Sequence, residues 1–267
     1  MTSIEPVLSV VADGIMTITL NRPEAANAVR PDDRDALIGL LTNADGDEKV
    51  RVVVLRANGK HFCSGADVGS LAERRAQGQK RVMEPTRRIM NGAQKLVAGI
   101  LDCNKPVVAA VHGAATGLGA HMVYASDLVI ATENAYFAES FVKRGLVVDG
   151  GGCYLLPRRI GMQKAKELTF FGERLTAAEA LALGLVNRVV STEEFDTVVA
   201  DFAGRLAGSP TSAIAFTKRL LNDSPDTDRS GAFVAEAMAQ EIQSYSHDST
   251  EGVQAFVEKR PTEFTGW

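Results

Sequence analysis

The stretch VVAAVHGAATGLGA, residues 107–120, reads as a strand that stops abruptly and turns into a helix. Val107–Val111 follows Lys105-Pro106 and is apolar at every position. A run this short and this uniformly apolar suits a strand buried on both faces, the habit of a parallel sheet. His112-Gly113-Ala114-Ala115-Thr116-Gly117 comes next, and Leu118–Ala125 has helical character. Small residues let a backbone approach a ligand closely. The first N–H groups of a helix point outward without partners. Ligands of α/β sheets collect at the carboxyl ends of strands, where this loop lies.

Working outward, Val50–Leu55 and Leu128–Ala131 are further apolar runs. With helices between them they predict right-handed βαβ units and a largely parallel sheet. Val7–Val11 and Ile15–Leu20 flank Ala12-Asp13-Gly14, and Asp-Gly between two such runs predicts a hairpin. Pro31–Thr42 predicts a helix with proline in its first turn. Residues Gly69–Leu101 read as helical, interrupted near Pro85, and as the most mobile part of the chain. Farther on, Gln163–Phe171 reads as a helix, Thr176-Ala177-Ala178-Glu179 as a capping box, and Leu185–Val190 as a short strand. From Glu193 the pattern is helical only, so a core of residues 1–195 and a helical segment of residues 196–267 are expected. Such a segment must bury its apolar face somewhere, and a second copy of the chain could receive it.

Composition narrows the function classes. The chain has 267 residues, 45% hydrophobic and 23% charged, the balance of an ordinary globule. Its net charge is −4, with no basic stripe of the kind a nucleic-acid binder carries. The arginines and lysine within Glu73–Arg88 read as a solvated helix face. No apolar run is long enough to span a bilayer, so no membrane association is expected. The first residues do not resemble a signal peptide, and three scattered cysteines fit a reducing, cytoplasmic setting. No Cys or His spacing suggests a metal site.

A second small-residue loop, His61-Phe62-Cys63-Ser64-Gly65-Ala66-Asp67-Val68, follows the strand at Val50–Leu55. Two loops that deliver free N–H groups to one point make an oxyanion hole. Tight turns at strand ends are the other reading of each loop taken alone. Dinucleotide binding is disfavoured, because Gly-x-Gly-x-x-Gly with a downstream acid is absent.

Taken in order, Leu20-Asn21-Arg22-Pro23, Phe62–Val68, Lys105–Gly113, Ser126-Asp127, Gly145–Gly152 and Phe256–Arg260 resemble the signatures of the crotonase, or enoyl-CoA hydratase/isomerase, superfamily. The resemblance runs from about residue 7 to residue 265. It implies a crotonase-like α/β spiral of ββα units with a C-terminal helical trimerisation segment, as a homotrimer or a dimer of trimers. It implies an acyl-CoA thioester substrate and no separate cofactor, coenzyme A being part of the substrate.

Residue by residue, the resemblance gives Ala66 and Leu118 as the oxyanion N–H donors. The family usually has glycine where Leu118 stands, so its side chain is expected to narrow the pocket. Hydratases of the family use two glutamates, and His121 and Phe141 stand at those positions. His121 reads equally as an acid/base and as a buried histidine bonded to a neighbour. Asp149, set in Gly145-Leu146-Val147-Val148-Asp149-Gly150-Gly151-Gly152, matches the single carboxylate of the family's enoyl-CoA isomerases. Phe137, Leu155–Arg158 and Phe264–Gly266 look most like a phenylacetate-pathway ring-enoyl-CoA isomerase. Apolar neighbours raise a carboxyl pKa and suit it to proton transfer. Capping of the helix near Cys153–Leu156 is the other reading of Asp149. Binding of the CoA thioester is implied for Arg22, Glu24, Ala25, Ala26, Ser64, Ala66, Asp67, Val68, Gly117 and Phe141, and for Phe256 and Lys259 from a neighbouring subunit. The expected activity is enoyl-CoA isomerisation. Hydration, hydrolysis or dehalogenation on the same scaffold, and a catalytically silent acyl-CoA binder, are the alternatives.

Overall fold

The structure is a computed structural model that describes residues 5–67, 69 and 82–267. Its main sheet has six strands in the order β1-β2-β3-β4-β6-β9. They are β1 Val7–Ala12, β2 Ile15–Leu20, β3 Val52–Ala57, β4 Val107–Val111, β6 Leu128–Thr132 and β9 Arg188–Val190. A smaller sheet, β5-β7-β8, is built from Ala114–Thr116, Tyr136–Ala138 and Arg174–Thr176. The helices are α1 Pro31–Gly46, α2 Glu84–Ile89, α3 Lys95–Asp102, α4 Leu118–Ala125, α5 Gly152–Ile160, α6 Met162–Phe171, α7 Ala177–Ala182, α8 Phe195–Ala207, α9 Thr211–Asp223, α10 Arg229–Ser244 and α11 His247–Glu258.

The hairpin forms as expected: Ala12 pairs with Ile15, and Asp13 and Gly14 take the left-handed conformation that a tight two-residue turn requires. All other pairs of the main sheet are parallel. The apolar runs are explained by burial on both faces. Val53, Leu55, Val107, Ala109, Val111, Val129 and Ala131 point into the main core. Val52, Val54, Val108, Ala110 and Ile130 point the other way, against Phe195, Val199, Ala203 and Ala207 of α8. Each fully buried valine or leucine contributes about 1.5–3 kcal/mol, so the two layers together fix the register. Packing thus joins α8, which opens the expected helical segment, to the sheet.

Several boundaries move. The strand expected at Val50–Leu55 is Val52–Ala57, and the one expected at Leu185–Val190 shrinks to three residues. The interruption near Pro85 is a helix start, with proline in the first turn of α2. A π turn, Met90–Gln94, then links α2 to α3. Residues 70–81 of the stretch expected to be mobile, and Val68, lie outside the described residues.

The C-terminal residues are pinned by Asp248, at the start of α11. Its buried carboxylate accepts from Thr265 N at 2.7 Å, Thr265 Oγ1 at 3.0 Å and Gly266 N at 2.7 Å. Those bonds hold its pKa below the ordinary carboxylate range against the opposing effect of burial. Nearby, Glu251 is lowered to about 2 by Arg260 and by Glu263 N–H. A carboxylate with a lowered folded pKa stabilises above its unfolded pKa, and that stability is lost as pH falls through the folded value. Asp248→Ala should cost about 2–3 kcal/mol and free the last residues, seen as faster amide exchange at Thr265 and Gly266. In the wild type, the same release is expected only below the ordinary carboxylate range. Unchanged exchange in the variant would contradict this role.

Candidate active site

The two small-residue loops meet at the carboxyl ends of β3 and β4. They are zipped together by Cys63 N–H to Ala114 O at 2.9 Å and Thr116 N–H to Cys63 O at 2.9 Å. Thr116 Oγ1 adds a bond to Ser64 O at 2.8 Å. The glycines make this approach possible. A Cβ on Gly65, whose φ is +106°, would lie 2.9 Å from Thr116 O. One on Gly119 would lie 2.4 Å from Cys63 O. Ala66 is the next residue after Gly65, and the position of a Gly65 Cβ is only 3.6 Å from Leu118 N. Among the described residues, neither Ala66 N–H nor Leu118 N–H donates a hydrogen bond. Two unspent donors on adjoining loops, one at the first position of α4, are what a developing oxyanion needs.

The Leu118 side chain is buried in the main core, and its backbone N–H remains available as a donor.

His121 lies one turn into α4 and is sealed, with no exposed surface. Its Nε2 stands 3.1 Å from Glu139 Oε2, and Glu139 is equally buried. Phe141 stacks flat on the imidazole, centroids 5.7 Å apart, and its ring edge also reaches Gly117. Gly150 and Gly152 pass along the open edge of the ring, and a Cβ on Gly152 would fall 2.4 Å from Nε2. As it stands, His121 therefore faces protein on every side, in keeping with the buried-histidine reading. Glu139 escaped the sequence reading. It follows the three-residue β7, where Phe137, Ala138 and Glu139 are buried in succession, so no in-and-out alternation marks it.

Asp149 lies in the turn before α5, half-buried. Its carboxylate caps no helix: the cap position is Gly151, the Asp149 backbone oxygen accepts Gly152 N–H at 3.0 Å, and the carboxylate interacts with its own backbone N–H. Burial raises its pKa above the ordinary carboxylate range, His121 opposes the shift and Glu139 adds to it. The next residue, Gly150, lies against the imidazole, where a Cβ would be 3.0 Å from His121 Nδ1, so Asp149 sits in the turn that borders the His121–Glu139 pair.

The chain matches the family model described as Enoyl-CoA hydratase/isomerase over residues 11–266. The chain belongs to the enoyl-CoA hydratase/isomerase family. It is 38% identical over 256 residues to a protein of Rhodobacter capsulatus named probable enoyl-CoA hydratase, covering 96% of each chain. It is 33% identical to the 1,2-epoxyphenylacetyl-CoA isomerase of Escherichia coli, covering 98% of this chain and 99% of that one. A crystal structure of enoyl-CoA hydratase from Mycobacterium smegmatis superimposes with a TM-score of 0.90 at 32% identity, covering 98% and 99% of the two chains. The fold is thus the crotonase α/β fold, and this member of the enoyl-CoA hydratase/isomerase family is an acyl-CoA-processing enzyme.

The remaining expected binding residues divide into groups. Arg22, Glu24, Ala25 and Ala26 form the turn beside the Ser64–Asp67 loop, tied to it by Ser64 N–H to Ala26 O at 3.0 Å. Arg22 is engaged inside the chain. Its Nη1 reaches Ala28 O at 2.8 Å, Asp33 at 3.3 Å and Asp67 at 3.6 Å, which leaves it poorly placed to seek a phosphate. Glu24 is exposed. Phe256 and Lys259 lie at the end of α11, and no hydrogen bond or ring contact joins them to the loops among the described residues. Phe256 is exposed, as are Val253 and Val257 beside it.

Proposed function

We propose that this enzyme moves the double bond of an enoyl-CoA. The thioester oxygen would sit against Ala66 N–H and Leu118 N–H. Asp149 would take a proton from C2 of a 3-enoyl-CoA, leaving a dienolate whose oxygen the two donors hold, each worth about 3–4 kcal/mol. The same carboxyl would then return the proton at C4. Coenzyme A enters as part of the substrate, and the shuttle calls for no further cofactor. The observation that carries this reading is the pair of positions that resemblance assigns to the hydratase glutamates. One holds the apolar ring of Phe141 and the other a sealed imidazole, while Asp149 is the half-buried carboxyl beside them. A panel of 2-enoyl, 3-enoyl, dienoyl and aryl-CoA esters tests it. Conjugation of a 3-enoyl-CoA, followed by ultraviolet absorbance, is expected to be the fastest reaction. Hydration through His121 with Asp149 is the second reading, favoured by the coupling of that imidazole to the half-buried carboxyl, and heavy-oxygen water appearing in a 3-hydroxyacyl product would establish it.

The pH dependence follows from the raised pKa of Asp149. A base must be ionised, so kcat/KM should fall as pH drops through that value, beginning above the ordinary aspartate range. An acid limb within the ordinary range would contradict the assignment.

The exposed stripe Val234, Met238 and Ile242 on α10 with Tyr245 just beyond it, and Val253, Phe256 and Val257 on α11, supports burial against further copies of the chain in a trimer or a pair of trimers.

A further inference from the structure

Four buried side-chain polar atoms lack a hydrogen bond of ordinary geometry among the described residues: His121 Nδ1, Glu139 Oε1, the Tyr124 hydroxyl and Ser212 Oγ. Tyr124 and Glu139 face one another, burial and the carboxylate together raising the phenol's pKa, so of the three that cluster His121 Nδ1 is the one with no group to receive. Buried polar groups are ordinarily satisfied, and a cluster of exceptions calls for a reason. The geometry supplies one. An ionised Glu139 accepts from Nε2–H, the arrangement that would leave Nδ1 as a bare acceptor. That nitrogen lies against Gly150, the residue after Asp149, where a Cβ would be 3.0 Å away.

We propose that Glu139 and His121 are positioning residues for Asp149, with Glu139 fixing the tautomer so that His121 Nδ1 can receive the hydrogen bond of the Asp149 carboxylic acid. This rests on the isomerase reading. When the C2–H bond breaks, its electrons enter the dienolate and its proton forms the O–H of Asp149. That O–H then points at Nδ1, and swings back to deliver the proton to C4. His121 and Glu139 touch no substrate. Three ionisable groups surround the imidazole: Glu139 beyond β7, Tyr124 on α4 and Asp149 in the turn; Cys153 on α5 responds to Glu139 and Asp149, and its thiol bonds Val148 O. The other neighbours, Phe141, Gly150 and Gly152, carry no charge.

Two arms test the couple. In the first, isotope-labelled histidine spectra assign the His121 tautomer through the His121→Gln variant. The expected state is protonated Nε2 and bare Nδ1. That preference should disappear in Glu139→Gln, and the signal should respond to a titration that Asp149→Asn removes. A protonated Nδ1, or indifference to Asp149→Asn, overturns the proposal whether or not any ester is turned over. In the second, kcat should fall about 10- to 100-fold in Glu139→Gln and in His121→Gln with KM within about twofold. The acid limb should move down in Glu139→Gln, which removes a charge opposing ionisation, and down also in His121→Gln, which removes the acceptor that stabilises the protonated carboxyl. Unmoved limbs with unchanged kcat overturn it. If Asp149→Asn stays fully active, or no enoyl-CoA is isomerised, the isomerase reading fails instead, and the spectra still decide the couple.

Discussion

Asp149→Asn is expected to abolish conjugation of a 3-enoyl-CoA while leaving the protein folded and able to bind the ester. A positioned acid/base contributes about 10²–10⁴-fold, and the amide can neither take nor return a proton. The loss should fall on kcat, since the amide has nearly the same shape as the carboxyl. Stability should move the other way. Burial disfavours the charged form of Asp149, so the carboxylate is a burden on the fold at neutral pH. Neutral asparagine lifts that burden, and the melting temperature should be equal to or above that of the wild type. A variant that is inactive because it is unfolded, or one that is fully active, would each contradict this role.

Gly119→Ala should damage the other half of the machinery. Its Cβ would lie 2.4 Å from Cys63 O, 2.7 Å from Cys63 Cβ and 2.9 Å from Cys63 Sγ. The oxygen cannot retreat cheaply, because it accepts Thr116 N–H at 2.9 Å. The two loops must separate, and the Ala66 and Leu118 donors lose their common focus. Losing one donor from an oxyanion hole costs about 10²–10³-fold in kcat. The overpacking itself should cost about 1–3 kcal/mol of stability. Gly39→Ala is the control: it lies in α1 with nothing within 4 Å of its Cβ position. It should leave kcat unchanged and stabilise by about 0.5–1 kcal/mol. Equal kinetics in the two variants would show that the loop approach is irrelevant to turnover.

The sequence carried the main sheet clearly because its signals are strong and local. Uninterrupted runs such as Val107–Val111 announce burial on two faces, Asp13-Gly14 announces a hairpin, and the Thr176–Glu179 capping box is present with both of its bonds. The small sheet was not legible, since strands of three residues are too short to show a period. Nor was the π turn at Met90–Gln94, whose residues differ in no local way from an ordinary helix. At the site, the loops that present Ala66 and Leu118 could be read from small residues at strand ends. Glu139 could not be singled out, because its role depends on His121, eighteen positions earlier and brought beside it only by folding. The direction of the Leu118 side chain is likewise a tertiary fact, set by the core that receives it.

The division of labour between backbone and side chains has a consequence for how this scaffold can change. The charge-holding device is made of amide groups and of glycines that nothing larger can replace, so it tolerates little alteration. The proposed proton-handling groups are single side chains: Asp149 in the turn before α5, His121 in α4 and Glu139 just after β7. Exchanging one of them leaves the enolate-stabilising frame intact and alters only where protons come from and go to. A lineage or an engineer can therefore move such a chain from one reaction to another in steps of a single codon, each intermediate still holding the same thioester in the same grip.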